Sequence, residues 1–280
     1  MPTLDVPEKY LALAPVIVTS PAPRCGTTLV QRLLSVSANG FIYGEEIGTQ
    51  MKTLTNLLFT ELQMQETWGE KFDAEFADAL AGNLQKWRPQ LSAPAAVMRK
   101  AWIETFYQLP FALDHHIAAA GRPIWGFKFP SYPSETVLAM QVMFPCAKVV
   151  YIYRNLPDVL RSAKARQFVT TPEQTAQFCA DWAKNMAEAS VLAQDQRVLF
   201  LKYEAFLEQP AEHIGLLELF TGVRGISADE MSVKINTFEG ERSVGHSPSQ
   251  YIEPAELTAA DLEMIEQHAG EVMGSLYAAA

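Results

Sequence analysis

The stretch APVIVTSPAPRCGTTLVQRLLSVS, residues 14–37, decides the fold. Ala14 to Thr19 is a short β-branched run bounded by prolines, the pattern of a strand buried on both faces. Thr27 to Ser37 carries Leu29, Leu33 and Leu34, the apolar spacing of a helix. Between them runs a turn-like loop that contains Gly26. Strand, Gly-containing loop and helix together open many α/β folds.

Further along the chain the same alternation continues. Thr49 to Ala120 reads as helical, with a break predicted over Asn83 to Pro94, where a tryptophan and two prolines fall. Strands are predicted at Pro123–Phe129, Lys148–Tyr153 and Val198–Lys202. Helices are predicted at Pro157–Arg166, Pro172–Ala193, Ala211–Phe220 and Leu257–Leu276. Asn236 to Pro254 is polar and turn-rich and reads as a loop. With no repeat, low-complexity tract or linker, residues 1–280 are expected to form one three-layer α/β domain. In it a helical insert, about 49–120, follows the first βα unit.

Composition narrows the function classes. The chain has 280 residues, 49% of them hydrophobic and 19% charged, enough apolar material for a large core, so whole-chain disorder is excluded. Acids outnumber bases 32 to 22, a net charge of −10, whereas a protein that tracks nucleic-acid phosphates should be basic. No nucleic-acid partner is therefore expected. No apolar run approaches the ~18 residues of a membrane span, so no transmembrane segment is expected either. MPTLDVPEKY lacks the basic start and apolar stretch of a signal peptide. Cys25, Cys146 and Cys179 form no C-x-x-C pair, which argues against a disulfide framework or zinc site and fits a reducing cytoplasm.

The first loop is an anion cradle. Backbone N–H groups at a helix N-terminus favour a negative ligand, and Gly26 lets the backbone come close to it. Arg24 offers a planar cation for phosphate or sulfate oxygens, and Thr27 and Thr28 add hydroxyls. The nucleotide-binding pattern G-x-x-x-x-G-K-[ST] is not met, because Thr27 follows Gly26 where that pattern has lysine. The alternative for these residues is an ordinary helix start capped by Thr27.

A second constellation follows the strand KVVYIY. Arg154 stands at its carboxyl end, where α/β sheets bind ligands. Ser162 comes eight residues later and Arg166 twelve, four apart on one face of the helix that Pro157 is expected to start. The alternative here is a surface helix laced with Asp–Arg pairs.

In these residues the chain resembles the sulfotransferases that use 3′-phosphoadenosine 5′-phosphosulfate (PAPS), in particular their tyrosylprotein-sulfotransferase-like and bacterial branch. Pro23 to Leu29 is similar to the family's 5′-phosphosulfate loop, P-[RK]-S-G-T-T-L. Arg154 and Ser162 stand at the spacing of the pair that holds the 3′-phosphate, and Arg166 matches a further arginine of this branch. Val198 to Glu204 with Gln209-Pro210 resembles the strand-Y-E-x-L-x-x-x-P segment, whose tyrosine, here Tyr203, lies near adenine. Trp125 to Pro130 is similar to W-G-x-K-x-P. Two departures stand out. Cys25 replaces the loop serine, and Ser249 to Pro254 resembles a nucleotide-covering segment but carries Glu253 where some relatives have lysine.

The resemblance implies a P-loop-like central parallel sheet flanked by helices, with the insert on the acceptor side. It implies PAPS as sulfuryl donor and PAP (adenosine 3′,5′-bisphosphate) as product, with no metal required. Arg24, Cys25, Gly26, Thr27, Thr28, Arg154, Ser162, Arg166, Tyr203 and Ser249 are the expected cofactor contacts. Catalysis is expected from Arg24 and Lys128 on the leaving and transferring groups, and from a glutamate base. Glu45 and Glu46 compete for that role. Glu45 lies at the expected spacing, twenty-one residues past Arg24, and an extended segment would point the two to opposite sides. Cys25, at a helix N-terminus beside Arg24, is expected to have a lowered pKa and to react readily. The acceptor can be a small molecule, lipid, glycan or peptide, offering a hydroxyl or an amine. Two rival readings remain open at this point: a P-loop kinase or other NTP-binding protein, and a non-catalytic PAP-binding relative.

Overall fold

Val16–Thr19 forms the central strand, β1, and all four of its residues are buried. Among the residues that the computed structural model describes, 4–89, 91–232 and 252–277, five strands build one parallel sheet. β2 (Gly40–Tyr43), β3 (Ile124–Lys128), β4 (Lys148–Tyr153) and β5 (Val198–Lys202) join β1 in the order β2-β3-β1-β4-β5. Val18 faces Lys128 on one side and Val150 on the other. Because every pair is parallel, all carboxyl ends open on one edge, the edge where such sheets bind ligands. A Cβ at position 126 would lie 1.9 Å from the Val16 carbonyl oxygen, so the β1–β3 pair depends on Gly126.

Side-chain alternation along β1 divides the core in two. Ile17 joins one cluster, Val16 and Val18 the other. On the Ile17 face pack α2 (Glu45–Leu80), α3 (Ala95–Ala119), α4 (Ser134–Met143), α5 (Leu156–Ala165), α6 (Pro172–Ala189) and α9 (Ala259–Tyr277). On the opposite face α1 (Thr27–Val36), α7 (Tyr203–Glu208) and α8 (Pro210–Thr221) bury Leu33, Phe206 and Leu217 with Val150, Ile152 and Leu201. The helix–sheet–helix layering is the one the sequence predicts.

Strands β4 and β5 have the bounds expected from sequence, and β1 and β3 lie inside their predicted runs. The insert differs. It starts at Glu45 rather than Thr49 and follows β2, a strand that the sequence does not announce. β2 has only four residues, begins at a glycine and alternates between buried and half-buried, too short a run to display a period. Consequently Glu45 and Glu46 stand in the first turn of a helix, not in an extended segment. Carboxylates are favoured there by the helix dipole. Helix α4 was not anticipated either. It is buried on most of its circumference and so shows no amphipathic stripe.

The first turn of α2 is fastened to the end of β3. A Cβ on Gly48 would meet the Lys128 carbonyl oxygen at 2.4 Å and Phe129 Cβ at 2.8 Å, so only glycine permits this approach. The buried Tyr132 hydroxyl donates to the Gly48 carbonyl and holds the two elements together. This contact carries Glu45 to the carboxyl edge of the sheet.

Candidate active site

The loop after β1 is held from beneath. Ser20 Oγ donates to the Ala22 carbonyl at 2.7 Å, and Asn185 Nδ2 of α6 donates to the Pro21 carbonyl at 2.7 Å. Arg24 takes φ +76° and Gly26 φ +110°, two left-handed residues that turn the chain sharply into α1. Gly26, not Thr27, is the N-cap, and no side chain caps the helix. The first amides of α1 therefore keep their capacity for an anion. Thr27 is buried, whereas Thr28 is exposed. Gly26 is needed for a second reason, since a Cβ there would lie 2.6 Å from the Tyr203 ring.

Cys25 does not behave as its position suggests. Its side chain is fully buried and belongs to the core cluster. Burial pushes the thiol up to about 12, outweighing the Ala22 backbone and the Arg154 charge that pull it down. The expected low-pKa, reactive thiol is thus corrected: dehydration dominates the helix dipole when no solvent reaches the sulfur. Iodoacetamide at about pH 8 should label exposed Cys146 and spare Cys25, with or without nucleotide. Peptide mass spectrometry reads both sites, and label on Cys25 in the folded chain would contradict its burial.

Three elements meet at Lys128. Its ammonium donates to Thr28 Oγ1 of α1 at 3.0 Å and pairs with Glu45 Oε1 of α2 at 2.8 Å. The lysine side chain is 6% exposed and the glutamate 52%, so a buried cation meets a half-exposed carboxylate. Glu46 is exposed and turned about 100° away around the helix. Of the two acids, Glu45 is thus the one joined to the loop and the strand.

A second group forms at the ends of β4 and β5. The Arg154 guanidinium lies over the Tyr203 ring, 4.6 Å from its centroid, and its Nη2 is 3.4 Å from Asp158 Oδ2. Burial would raise the Asp158 carboxyl, but Asn155, Arg154 and Arg161 outweigh it and hold it below the usual range. Asn155 caps α5 by accepting from the Asp158 amide at 2.9 Å. Its own backbone N–H donates to Glu204 Oε1 at 2.8 Å. Arg24 Nε donates to Ser162 Oγ at 3.1 Å, which joins the first loop to α5. Arg166 is half-buried at the C-cap of α5, four residues past Ser162. No role is predicted from sequence for Asn155, Asp158 or Glu204, although Asn155-x-x-Asp158 is a recognisable cap signal and Glu204 is the acid of the Y-E segment.

The chain returns to this region near its end. The Ala255 amide donates to the Arg161 carbonyl at 3.1 Å, and Arg161 Nε donates to the Ala255 carbonyl at 3.1 Å. Glu253 is exposed just before that clasp. Ser249 lies outside the described residues, as does most of the 236–254 segment. Among the described residues, no helix is long and apolar enough to cross a membrane.

The assembled edge thus offers unfilled helix amides, a buried lysine tied to a carboxylate, and a ring-stacked arginine, a set suited to an anionic ligand that bears a planar ring. In structure the chain is similar to the sulfotransferase domain of the Synechococcus PCC 7002 olefin synthase. The TM-score is 0.52 at 16% identity, over 95% of this chain and 98% of that one, a likeness of fold. It is also matched to a sulfotransferase domain from the curacin biosynthetic pathway, at 17% identity, 91% and 97% coverage and TM-score 0.49. A mouse sulfotransferase, SULT7A1, complexed with PAP, aligns at 10% identity, 96% and 90% coverage and TM-score 0.48. No curated protein matches the chain in sequence. A sequence model of the sulfotransferase family does match, over residues 15–226, from just before β1 to just past α8. The chain belongs to the sulfotransferase family.

Proposed function

We propose that this protein transfers a sulfuryl group from PAPS to an acceptor hydroxyl or amine, with Glu45 as general base. The observation that carries the reading is the Lys128 ammonium, bonded at once to Thr28 of the anion loop and to Glu45. In this reading the lysine serves both the leaving phosphate, on the Thr28 side, and the incoming nucleophile, on the Glu45 side.

In the proposed step the acceptor oxygen attacks sulfur in line with the bridging oxygen. The new O–S bond forms as the bridging S–O bond breaks, and the electron pair of that bond stays on the 5′-phosphate of PAP. The acceptor proton passes to the Glu45 carboxylate. Negative charge grows on the departing phosphate, where the amides of Gly26 to Thr28, Arg24 and Lys128 stabilise it. Cys25 contributes its backbone, since its thiol is buried. Arg154, Ser162 and Arg166 are assigned to the 3′-phosphate, and Tyr203 to the adenine side. The Arg24–Ser162 bond couples the two phosphate subsites. Sulfuryl transfer moves less charge than phosphoryl transfer, so cations and helix dipole supply the stabilisation assigned here to the protein.

The acceptor is assigned to the side of Glu45 and Glu46, both exposed acids, in a chain of net charge −10. A polyanionic acceptor is disfavoured there. Incubation of the protein with sulfur-labelled PAPS and a fractionated metabolite extract tests the reading. Label passing into a new sulfate ester or sulfamate is the expected result. PAP binding with no transfer to any fraction would favour the non-catalytic alternative instead.

A further inference from the structure

We propose that Glu204 is a positioning residue that aims Arg154 at the 3′-phosphate. The proposal rests on the assignment of Arg154 to that phosphate. Glu204 opens α7 directly after Tyr203, on a different strand connection from Arg154. One of its oxygens, Oε1, accepts both the Asn155 backbone N–H, at 2.8 Å, and the Asn155 side-chain amide. The same side-chain amide donates to Asp158 Oδ2 at 3.1 Å, and Asp158 in turn pairs with Arg154. A single carboxylate therefore fixes the peptide that follows Arg154 and, through Asn155, the acid that flanks its guanidinium.

The tyrosine preceding Glu204 completes the arrangement. Tyr203 supplies the ring beneath Arg154 and leans on Gly26 of the anion loop. Glu204 thus ties the floor under the arginine and the turn that carries it into one unit. Its second oxygen, Oε2, is buried without a hydrogen-bond partner, and the Arg154 Nε is likewise buried and unsatisfied. Leaving such groups unpaired is costly, so the chain retains a polar junction here where an apolar one would pack more simply. Conformational precision of the arginine is what the junction supplies, because small misplacements of a binding group can cost large factors in function.

The ratio of PAP to adenosine 5′-phosphate affinity isolates this role, since the two ligands differ by the 3′-phosphate alone. Titration calorimetry on the full chain is expected to show a wild-type ratio of at least about tenfold. Glu204→Ala should bring that ratio down by about tenfold while changing adenosine 5′-phosphate affinity by less than about threefold. Glu204→Gln, which keeps an acceptor oxygen for Asn155, should restore most of the ratio. If Glu204→Ala does not fold, Glu204→Asp retains the carboxylate but is too short to reach Asn155, and it should show the same loss. Equal weakening of both nucleotides, or an unchanged ratio, would overturn the proposal and leave Glu204 a plain structural contact. A wild-type ratio near one would overturn the Arg154 assignment, and with it the role of Glu204.

Discussion

Glu45→Gln should cut turnover by about 10²–10⁴-fold and leave PAP affinity nearly unchanged, the usual worth of general-base assistance. The carboxylate is bonded to Lys128 at 2.8 Å yet half exposed, so it is open to the acceptor that the proposed reaction requires. Glutamine preserves size and one acceptor oxygen while removing the capacity to take a proton. Glu46→Gln should be mild, because Glu46 points elsewhere around the first turn of α2. Single-turnover kinetics with both variants decides the matter. The reverse pattern would move the role to Glu46, and two mild effects would mean an acceptor nucleophilic enough without a base.

Arg154→Ala comes next in expected size. A lost charge-assisted contact in a partly buried site costs about 1.5–3 kcal/mol, so PAP should weaken by about ten- to a hundredfold. Adenosine 5′-phosphate should weaken less, and by an amount that reports the arginine's packing on Tyr203 rather than a phosphate contact. Loss of the guanidinium also strips Asp158 of one of the charges holding its carboxyl low, leaving Arg161 and the Asn155 amide as its remaining partners. A variant that binds PAP as tightly as the wild type would remove Arg154 from the site.

Much of this was legible in the chain before its structure. KVVYIY and VLFLK have the β-branched, apolar character of buried parallel strands, and β4 and β5 occupy those residues. The loop of Arg24 to Thr28 reads as an anion cradle from local chemistry alone, and α1 begins there without a side-chain cap. What could not be read is non-local. β2 is four residues long, and its neighbour in the sheet lies some eighty residues on in sequence. The helical start at Glu45 depends on Gly48 meeting the end of β3, a contact that no local pattern announces. Cys25 misleads for the same reason: its helix-terminal position is visible in sequence, but its burial depends on distant elements. Glu204 shows in sequence only as the acid of the Y-E segment, and its bond to Asn155, forty-nine residues away, does not show there.

The central claim is that the edge of this sheet reads a nucleotide with a 3′-phosphate and a 5′-anion. Titration calorimetry of the unmodified protein with PAP, adenosine 5′-phosphate, ATP and GTP tests it most directly. PAP should bind at least about tenfold tighter than adenosine 5′-phosphate, with ATP and GTP weaker than PAP, since neither carries the group assigned to Arg154, Ser162 and Arg166. Equal binding of PAP and adenosine 5′-phosphate, or a preference for ATP or GTP, would contradict it.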